Sequence, residues 1–107
     1  MPDTPLAALE AKADHVAGRL ALMGNPRRLM ILCHLATGEA SVGALQSHVG
    51  LGQSALSQHL AKLREAGMVA TRREGQTIWY RISDPDVREI MEALYETFCA
   101  GGEGKDG

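Results

Sequence analysis

The segment 53–69 constrains the fold of this chain more than any other feature. Leucines recur in it at the i, i+4, i+7 spacing of one helix face, which predicts a buried stripe. These leucines are Leu56, Leu60 and Leu63. Small or hydrogen-bonding residues cover the opposite side, namely Ser54, Ser57, Gln58, Ala61 and Lys62. The segment is therefore predicted to form a helix with one buried face and one polar face.

Glycines mark both ends of this helix. Gly67 is typical of a helix C-terminal stop, and Gly50 and Gly52 bracket a tight turn before the helix. A shorter helix over about 41–49 is predicted ahead of that turn. Two helices joined by a tight turn, the second with a polar outer face, form a helix-turn-helix.

The polar face offers the chemistry that DNA requires. Ser and Gln side chains reach base edges and phosphates, and Lys62 can neutralise a phosphate. The helix N-terminus near Ser54 presents free backbone N–H groups to another phosphate. The predicted DNA contacts of this helix are Gln53, Ser54, Ser57, Gln58, His59 and Lys62. The alternative is an ordinary solvated helix face.

A β-hairpin is predicted directly after the helix. Segments 68–73 and 77–82 are rich in β-branched and aromatic residues, and Gly75 lies in the turn between them. The tip is basic and hydrogen-bonding, with Arg72, Arg73, Gln76 and Thr77. We predict that this tip lies along a DNA groove or backbone, as in a winged helix. The alternative is a hairpin tip that serves only solubility.

The residues of the helix and hairpin together resemble the recognition helix and wing of the ArsR family of bacterial repressors. The resemblance is carried by Ser54-x-x-Ser57-x-His59-Leu60-x-x-Leu63-x-x-Ala66-Gly67-Met68-Val69, then Arg-Arg-Glu-Gly-Gln and Trp79-Tyr80-Arg81-Ile82. It extends from Thr4 to about Ala100. It implies a mainly α-helical winged helix-turn-helix protein with five helices and two strands, which represses transcription by binding DNA.

Charge is distributed unevenly along the chain. The net charge is −2, but residues 62–83 hold five Lys or Arg against two acids, net +3. Residues 84–107 hold two against seven, net −5. A basic wing region beside an acidic last helix fits a protein that presents one face to DNA.

The length of 107 residues predicts a single small domain. We place the winged helix-turn-helix domain at 1–100 and predict a disordered Gly-rich tail over 101–107. Nothing in the sequence resembles a signal peptide or a membrane-spanning segment, so a cytoplasmic protein is expected.

The terminal helices are predicted to support a homodimer. A first helix starting at Thr4-Pro5 has apolar residues at alternating spacings of three and four: Leu6, Leu9, Ala13, Val16 and Leu20. A last helix starting near Asp84-Pro85 has a second stripe: Val87, Ile90, Met91, Leu94 and Phe98. The alternative is that both stripes pack on the chain's own core. The resemblance implies that these helices form the dimer interface, and a dimer predicts a pseudo-palindromic duplex operator.

The two cysteines lie far apart in the sequence. Cys33 lies in a predicted helix from Asn25 to about Thr37, capped by Asn25 with Pro26 at its first position, and Cys99 lies near the end of the last helix. Sequence rules alone do not bring them into contact. Two such cysteines are ordinarily inert, buried small side chains.

No metal ion or other cofactor is predicted. Metal-sensing ArsR relatives carry Cys-Val-Cys before the recognition helix, and the aligned segment 39–45 holds no sulfur. Other relatives bind zinc through Asp and His on the last helix, but 84–100 contains no His. The four histidines, His15, His34, His48 and His59, have no metal-binding spacing. An enzyme is not expected, because the adjacent Cys33 and His34 point about 100° apart on a helix.

The remaining cysteine placement resembles the ArsR subgroup that senses reactive sulfur species. The resemblance implies that persulfide or an oxidant bridges Cys33 and Cys99 through a disulfide or polysulfide, and that this bridge releases the operator. Because Cys99 lies near a helix C-terminus, which does not stabilise a thiolate, Cys33 is favoured as the first attacking thiol. The alternative is a metal-responsive repressor with a non-standard site containing cysteine.

Overall fold

A computed structural model describes residues 5–100 of the chain. Its α-helices are α1 (Pro5–Ala11), α2 (Ala13–Met23), α3 (Pro26–Ala36), α4 (Val42–Val49), α5 (Gln53–Glu65) and α6 (Pro85–Tyr95). Its strands are β1 (Ala40–Ser41), β2 (Val69–Glu74) and β3 (Thr77–Ile82). A π-helical turn, Glu96–Ala100, continues α6. Within the described range, no helix is both long and apolar enough to cross a bilayer.

The winged helix-turn-helix prediction is confirmed, but the count of five helices and two strands is wrong. The structure has six α-helices and three strands over residues 5–100. The predicted first helix is broken at Lys12, whose backbone N–H bonds to Leu9 O at 3.0 Å and closes a tight turn. The predicted helix start at Thr4 and the predicted disordered tail lie outside the described residues.

Side-chain caps fix the starts of three helices, and the Asn25 cap of α3 is the one that the sequence predicts. Asn25 Oδ1 accepts two backbone N–H bonds at the start of α3, and Pro26 is the first helical residue. Ser41 Oγ accepts from Ala44 N at 3.1 Å at the start of α4. Asp84 Oδ1 accepts from Asp86 N at 2.9 Å at the start of α6. These caps explain why the helices begin where they do.

The hairpin formed by β2 and β3, called the wing below, belongs to a three-stranded antiparallel sheet. The strand order is β1-β3-β2, so the short β1 pairs with the edge of β3 that faces away from β2. Glu74 pairs with Thr77 and leaves a two-residue turn. Gly75 occupies its first position at φ 63°, which glycine adopts without strain. The wing is therefore attached to the segment just before α4.

The core lies between α3, α4, α5, α6 and the inner side of the sheet. The predicted leucine stripe of α5 is buried: Leu56 and Leu63 have no exposed surface, and Leu60 is 2% exposed. Its partners include Ile31, Leu32, Leu35, Leu45, Met68, Val87 and Met91. The predicted helical phase of α5 is confirmed, so its opposite face points outward.

The terminal elements leave large apolar side chains exposed. No residue of α1 is buried, and α2 buries only Met23. Leu6 and Phe98 are each 73% exposed, and Leu9, Leu20 and Tyr95 are about half exposed. Val87 and Met91 of the predicted last stripe are buried in the chain's own core, so one chain alone covers the predicted stripes only in part.

One ion pair joins the N-terminal helices to α6. Arg19 Nε donates to Asp84 Oδ2 at 2.8 Å, and both side chains are largely buried. Asp84 therefore caps α6 and also holds α2 against its first turn.

Candidate DNA-binding surface and thiol pair

The outer face of α5 is open to solvent along its whole length. Five of its six predicted contact residues are exposed: Gln53, Ser54, Ser57, Gln58 and Lys62. Gly52, at the N-cap position, provides no capping side chain. The first backbone N–H groups of α5 are therefore left for water or a phosphate. We call these five residues the recognition face.

His59 differs from the other five because it is half-buried against α3. Arg28 Nη1 lies 3.3 Å from His59 Nδ1, and Arg28 Nε donates to Leu22 O at 2.7 Å. Arginine can only donate, so Nδ1 must accept, and the neutral imidazole carries its proton on Nε2. Burial lowers the pKa of His59, and the positive charges of Arg28, Lys62 and Arg27 lower it further.

Arg27 and Arg28 form a basic cluster with Lys62 that the sequence-based prediction missed. Both arginines lie in the first turn of α3, and their charges bear on His59 of α5. Cations are unfavourable at a helix N-terminus because of the helix dipole. Two arginines in the first turn of α3 therefore do not stabilise that helix. Their position indicates that they interact with another element or with a ligand.

The wing tip is exposed at each predicted position: Arg72, Arg73, Gln76 and Thr77. Arg72 and Arg73 are adjacent on β2, so their side chains lie on opposite faces of the sheet. Arg73 makes no ion pair or side-chain hydrogen bond with any residue from 5 to 100. Arg72 is bound to Glu39, in the loop before β1, at 2.8 Å. The structure therefore separates the two arginines that the sequence places together.

Cys33 and Cys99 are free thiols on two packed elements. Cys33 is half-buried on α3, and Cys99 is exposed on the π-helical turn after α6. Burial raises the pKa of the Cys33 thiol, and the nearby charge of Cys99 raises it further. An open groove of about 500 Å³ lies beside Cys33, lined by residues of α3 and α6, including Met91 and Tyr95.

Among residues 5–100, no three His, Cys, Asp or Glu side chains converge in a way that could hold a metal ion. Two histidines that are distant in sequence do meet: the rings of His34 and His48 stack with centroids 4.6 Å apart. Burial lowers the pKa of His34, and His48 lowers it further. This pair joins the end of α3 to the end of α4.

The helix-turn-helix, the wing and the exposed recognition face define a winged helix-turn-helix DNA-binding protein. Residues 25–71 match the family described as "Bacterial regulatory protein, arsR family". A biofilm growth-associated repressor from Agrobacterium fabrum is 46% identical over 101 residues, which cover 94% of this chain and 86% of the relative. The chain belongs to the ArsR family, and it is a DNA-binding transcriptional regulator rather than an enzyme.

Solved structures of similar proteins share the fold. Reduced HlyU from Vibrio cholerae superposes with a TM-score of 0.82 at 46% identity, covering 86% of this chain and 97% of HlyU. HlyU from this species is named a transcriptional activator. The homodimeric winged helix-turn-helix DNA-binding domain of Mb0332 from Mycobacterium bovis gives a TM-score of 0.73 at 31% identity, covering 100% of this chain and 96% of that domain.

Proposed function

We propose that the chain acts as a homodimeric repressor that binds a pseudo-palindromic operator and releases it when reactive sulfur bridges Cys33 and Cys99. In the dimer, the two recognition faces enter successive major grooves about 10 base pairs apart. The wing tips of the two subunits then flank the site. Bridging the thiols changes how α6 lies on α3 and so changes the spacing of the two α5 helices.

The exposure of the recognition face supports base reading by α5. Gln58 has the donor and acceptor groups that read a base edge, whereas Arg73 offers only charge and N–H donors to phosphates. Gln58→Ala is expected to relax sequence preference, and Arg73→Ala is expected to weaken binding to all sequences alike. Fluorescence anisotropy with a specific and a scrambled duplex separates these two effects.

The exposed apolar side chains of the terminal helices support a homodimer. Leu6, Leu9 and Leu20 on α1 and α2, with Tyr95 and Phe98 at the other end of the chain, are too large and too apolar to be left in water as a group. A second copy offers the same side chains by symmetry. The homodimeric state of the Mycobacterium bovis relative agrees with this assignment.

The observation that carries the sensing proposal is the position of the two thiols. Cys33 lines a groove together with residues of α6 and with Glu96, the first residue of the turn that carries Cys99. The charge of Cys99 also raises the pKa of the Cys33 thiol. The two thiols lie on different elements, α3 and the turn after α6, so a covalent bridge between them restrains one element relative to the other. A structure of the relative HlyU from Vibrio cholerae is described as reduced, and that description supports a redox role in our proposal.

The exposure of the two cysteines argues for an order opposite to the one predicted from sequence. Cys99 is exposed, whereas burial disfavours the Cys33 thiolate. The Cys99 thiolate attacks the outer sulfur of a persulfide RSSH, and RS⁻ leaves. Cys33 then loses its proton and attacks the Cys99 sulfur, which forms a disulfide and expels HS⁻. Both cysteines are oxidised, and the persulfide is reduced to a thiol and sulfide.

A bridge with one inserted sulfur follows if both thiols react first. Two persulfide molecules then convert Cys33 and Cys99 to persulfides, and two RS⁻ leave. The Cys33 persulfide attacks the Cys99 sulfur, which forms a trisulfide and expels HS⁻. A disulfide requires Cα atoms within about 7 Å, and a trisulfide spans a wider gap. A native gap slightly too wide for a disulfide would therefore favour persulfide over peroxide as the signal.

The experiment exposes the reduced protein to an organic persulfide, hydrogen peroxide or zinc in separate samples. Each sample is digested for mass spectrometry and tested for binding to a DNA fragment from upstream of its own gene. We expect persulfide to yield a linked peptide pair containing Cys33 and Cys99, with loss of DNA binding. Cys33→Ser and Cys99→Ser are expected to keep DNA binding under persulfide.

Two outcomes contradict the sensing proposal. If Cys33→Ser releases DNA under persulfide as the parent does, the bridge is not the switch. If zinc releases DNA and persulfide does not, the metal-responsive alternative replaces it. Neither outcome affects the assignment of the chain as a DNA-binding regulator.

A further inference from the structure

Arg72 is held by three groups in the described structure. Its Nε and Nη2 donate to the two carboxylate oxygens of Glu39 at 2.8 Å and 2.9 Å. Its Nη1 lies 3.6 Å from Glu74 Oε1, and its Cζ lies 5.4 Å from the ring centroid of Trp79. Two carboxylates therefore neutralise its charge, and an aromatic ring covers one face of the guanidinium.

The Arg72–Glu39 pair spans the middle strand of the sheet. Glu39 precedes β1, Arg72 lies on β2, and β3 runs between these two strands. Trp79 of β3 pairs with Arg72 on one side and with Ser41 on the other. Paired residues of neighbouring strands share a face, so Glu39, two residues before Ser41, reaches Arg72 across Trp79. The pair ties the loop before β1 to β2 across the middle strand.

Arg73 lies on the other face of the wing, which is the face near α5. Its neighbours on that face include Thr71 and Tyr80. Tyr80 lines a groove together with Ser57 and Arg64 of α5. The free guanidinium of Arg73 is therefore on the same side of the sheet as the recognition helix, and that of Arg72 is not.

We propose that Arg72 is a positioning residue that fixes the wing through Glu39, and that Arg73 delivers the charge of the wing to the DNA backbone. The inference rests on the DNA-binding role of the chain. It reassigns Arg72, which the sequence alone groups with Arg73 as a DNA contact. Glu39 becomes part of the DNA-binding apparatus without touching DNA.

The test measures affinity for a labelled random duplex of about 30 base pairs at several KCl concentrations. Each phosphate contact contributes about −0.9 to the slope of log affinity against log salt. We expect Arg73→Gln to reduce the magnitude of the slope by about one unit per subunit. Arg72→Gln and Glu39→Gln are each expected to weaken binding several-fold and to leave the slope unchanged.

The exchanged pair Glu39→Arg with Arg72→Glu distinguishes a structural pair from a DNA contact. It can restore the ion pair but places the positive charge on the loop before β1. We expect it to recover most of the affinity that either single reversal loses. A slope reduced in Arg72→Gln as much as in Arg73→Gln would overturn the proposal. Tighter binding by Glu39→Gln would also overturn it, since it would mean that Glu39 competes with DNA for Arg72.

Trp79 provides a readout that needs neither DNA nor the exchanged pair. It is the only tryptophan in the chain, so its fluorescence reports on the Arg72 contact. Arg72→Gln and Glu39→Gln are expected to shift its emission in the same direction, and the double substitution is expected to add nothing further. Arg73→Gln is the matched control and leaves the emission unchanged. Independent, additive shifts would overturn the coupling. A parent protein that binds no duplex would instead count against the DNA-binding role itself.

Discussion

His59 links the recognition helix to α3 in a way that depends on its protonation state. Its Nδ1 must accept from Arg28, so a proton on that nitrogen would face a guanidinium donor. Burial and the charges of Arg28, Lys62 and Arg27 hold its pKa below the ordinary value of 6.5. At pH values between the lowered pKa of the folded state and the ordinary pKa of the unfolded chain, the folded protein therefore keeps His59 neutral while the unfolded chain binds a proton.

This difference predicts that stability falls as the pH drops through 6.5. Where the unfolded chain binds more protons than the folded chain, the free energy of unfolding rises with pH. His34, with its pKa also lowered, contributes in the same direction. His59→Gln keeps an acceptor for Arg28 but does not titrate, so we expect a shallower pH dependence. Urea denaturation above and below this pH measures the pH dependence of the free energy of unfolding. The same pH dependence in His59→Gln and the parent would contradict the neutral state assigned to His59.

Truncation of Leu60 tests the packing of the core. It lies on the buried side of α5 and is 2% exposed. Leu60→Ala removes buried methyl groups and leaves a cavity, so we expect a loss of about 2–5 kcal/mol in the free energy of unfolding. Gln58→Ala, on the exposed face of the same helix, is the control and should change stability by less than about 0.5 kcal/mol. Equal denaturation midpoints for the two variants would contradict the packing described.

The sequence predicted which side chains are buried or exposed better than it predicted which distant residues contact each other. The periodicity of α5 placed Leu60 inside and Gln58 outside, because helical spacing alone determines which residues share a face. The Arg28–His59 contact and the Arg72–Glu39 pair join residues 31 and 33 positions apart. Such contacts depend on how helices and strands pack against each other, and a local sequence pattern carries no information about that packing. The separation of Arg72 from Arg73 could have been predicted from strand alternation.

At the level of elements, Asp84 is the residue on which α6 depends. It caps the helix and also binds Arg19 of α2. Asp84→Asn keeps a capping oxygen but loses the charge, and we expect a cost of about 1 kcal/mol. Asp84→Ala loses both interactions and should cost about 1 kcal/mol more. Thermal or urea unfolding checks both variants.

Repeating the two substitutions in an Arg19→Gln variant separates the capping role of Asp84 from its ion pair with Arg19. In Arg19→Gln, the ion pair is already absent, so adding Asp84→Asn should cost little further stability. The additional loss in Asp84→Ala should remain, because it comes from the cap. Fully additive costs for Arg19→Gln and Asp84→Asn would mean that the two side chains are not coupled.

The element boundaries that the sequence missed have local causes. Caps such as Asn25-Pro26 are readable because specific residue types satisfy the first N–H groups of a helix. The break at Lys12 has no glycine, proline or capping side chain to mark it. Strand β1 is two residues long and exists only through its pairing with β3. Neither feature has a sequence pattern of its own, so the helix and strand counts could not be predicted.

For the whole molecule, the exposed apolar surface predicts the effect of disrupting the dimer. Leu6→Glu places a charge in the apolar stripe of the terminal helices, where Leu6 is 73% exposed in the single chain. We expect this variant to sediment as a monomer at micromolar concentration and to bind DNA at least tenfold more weakly, because half of the operator contacts are lost. Ala11→Glu, on the opposite side of α1, is the control and should remain dimeric. A monomeric parent, or a Leu6→Glu variant that stays dimeric, would place the interface elsewhere.

Ser41 has a consequence for how the molecule opens. It is the last residue of β1, paired with Trp79 of the wing, and its hydroxyl oxygen caps α4. Opening the edge of the sheet therefore also removes the cap from the first helix of the helix-turn-helix. Amides at the β1–β3 edge and in the first turn of α4 are expected to exchange with solvent in a single cooperative step. One edge of the wing and the start of the helix-turn-helix then share one local unfolding event.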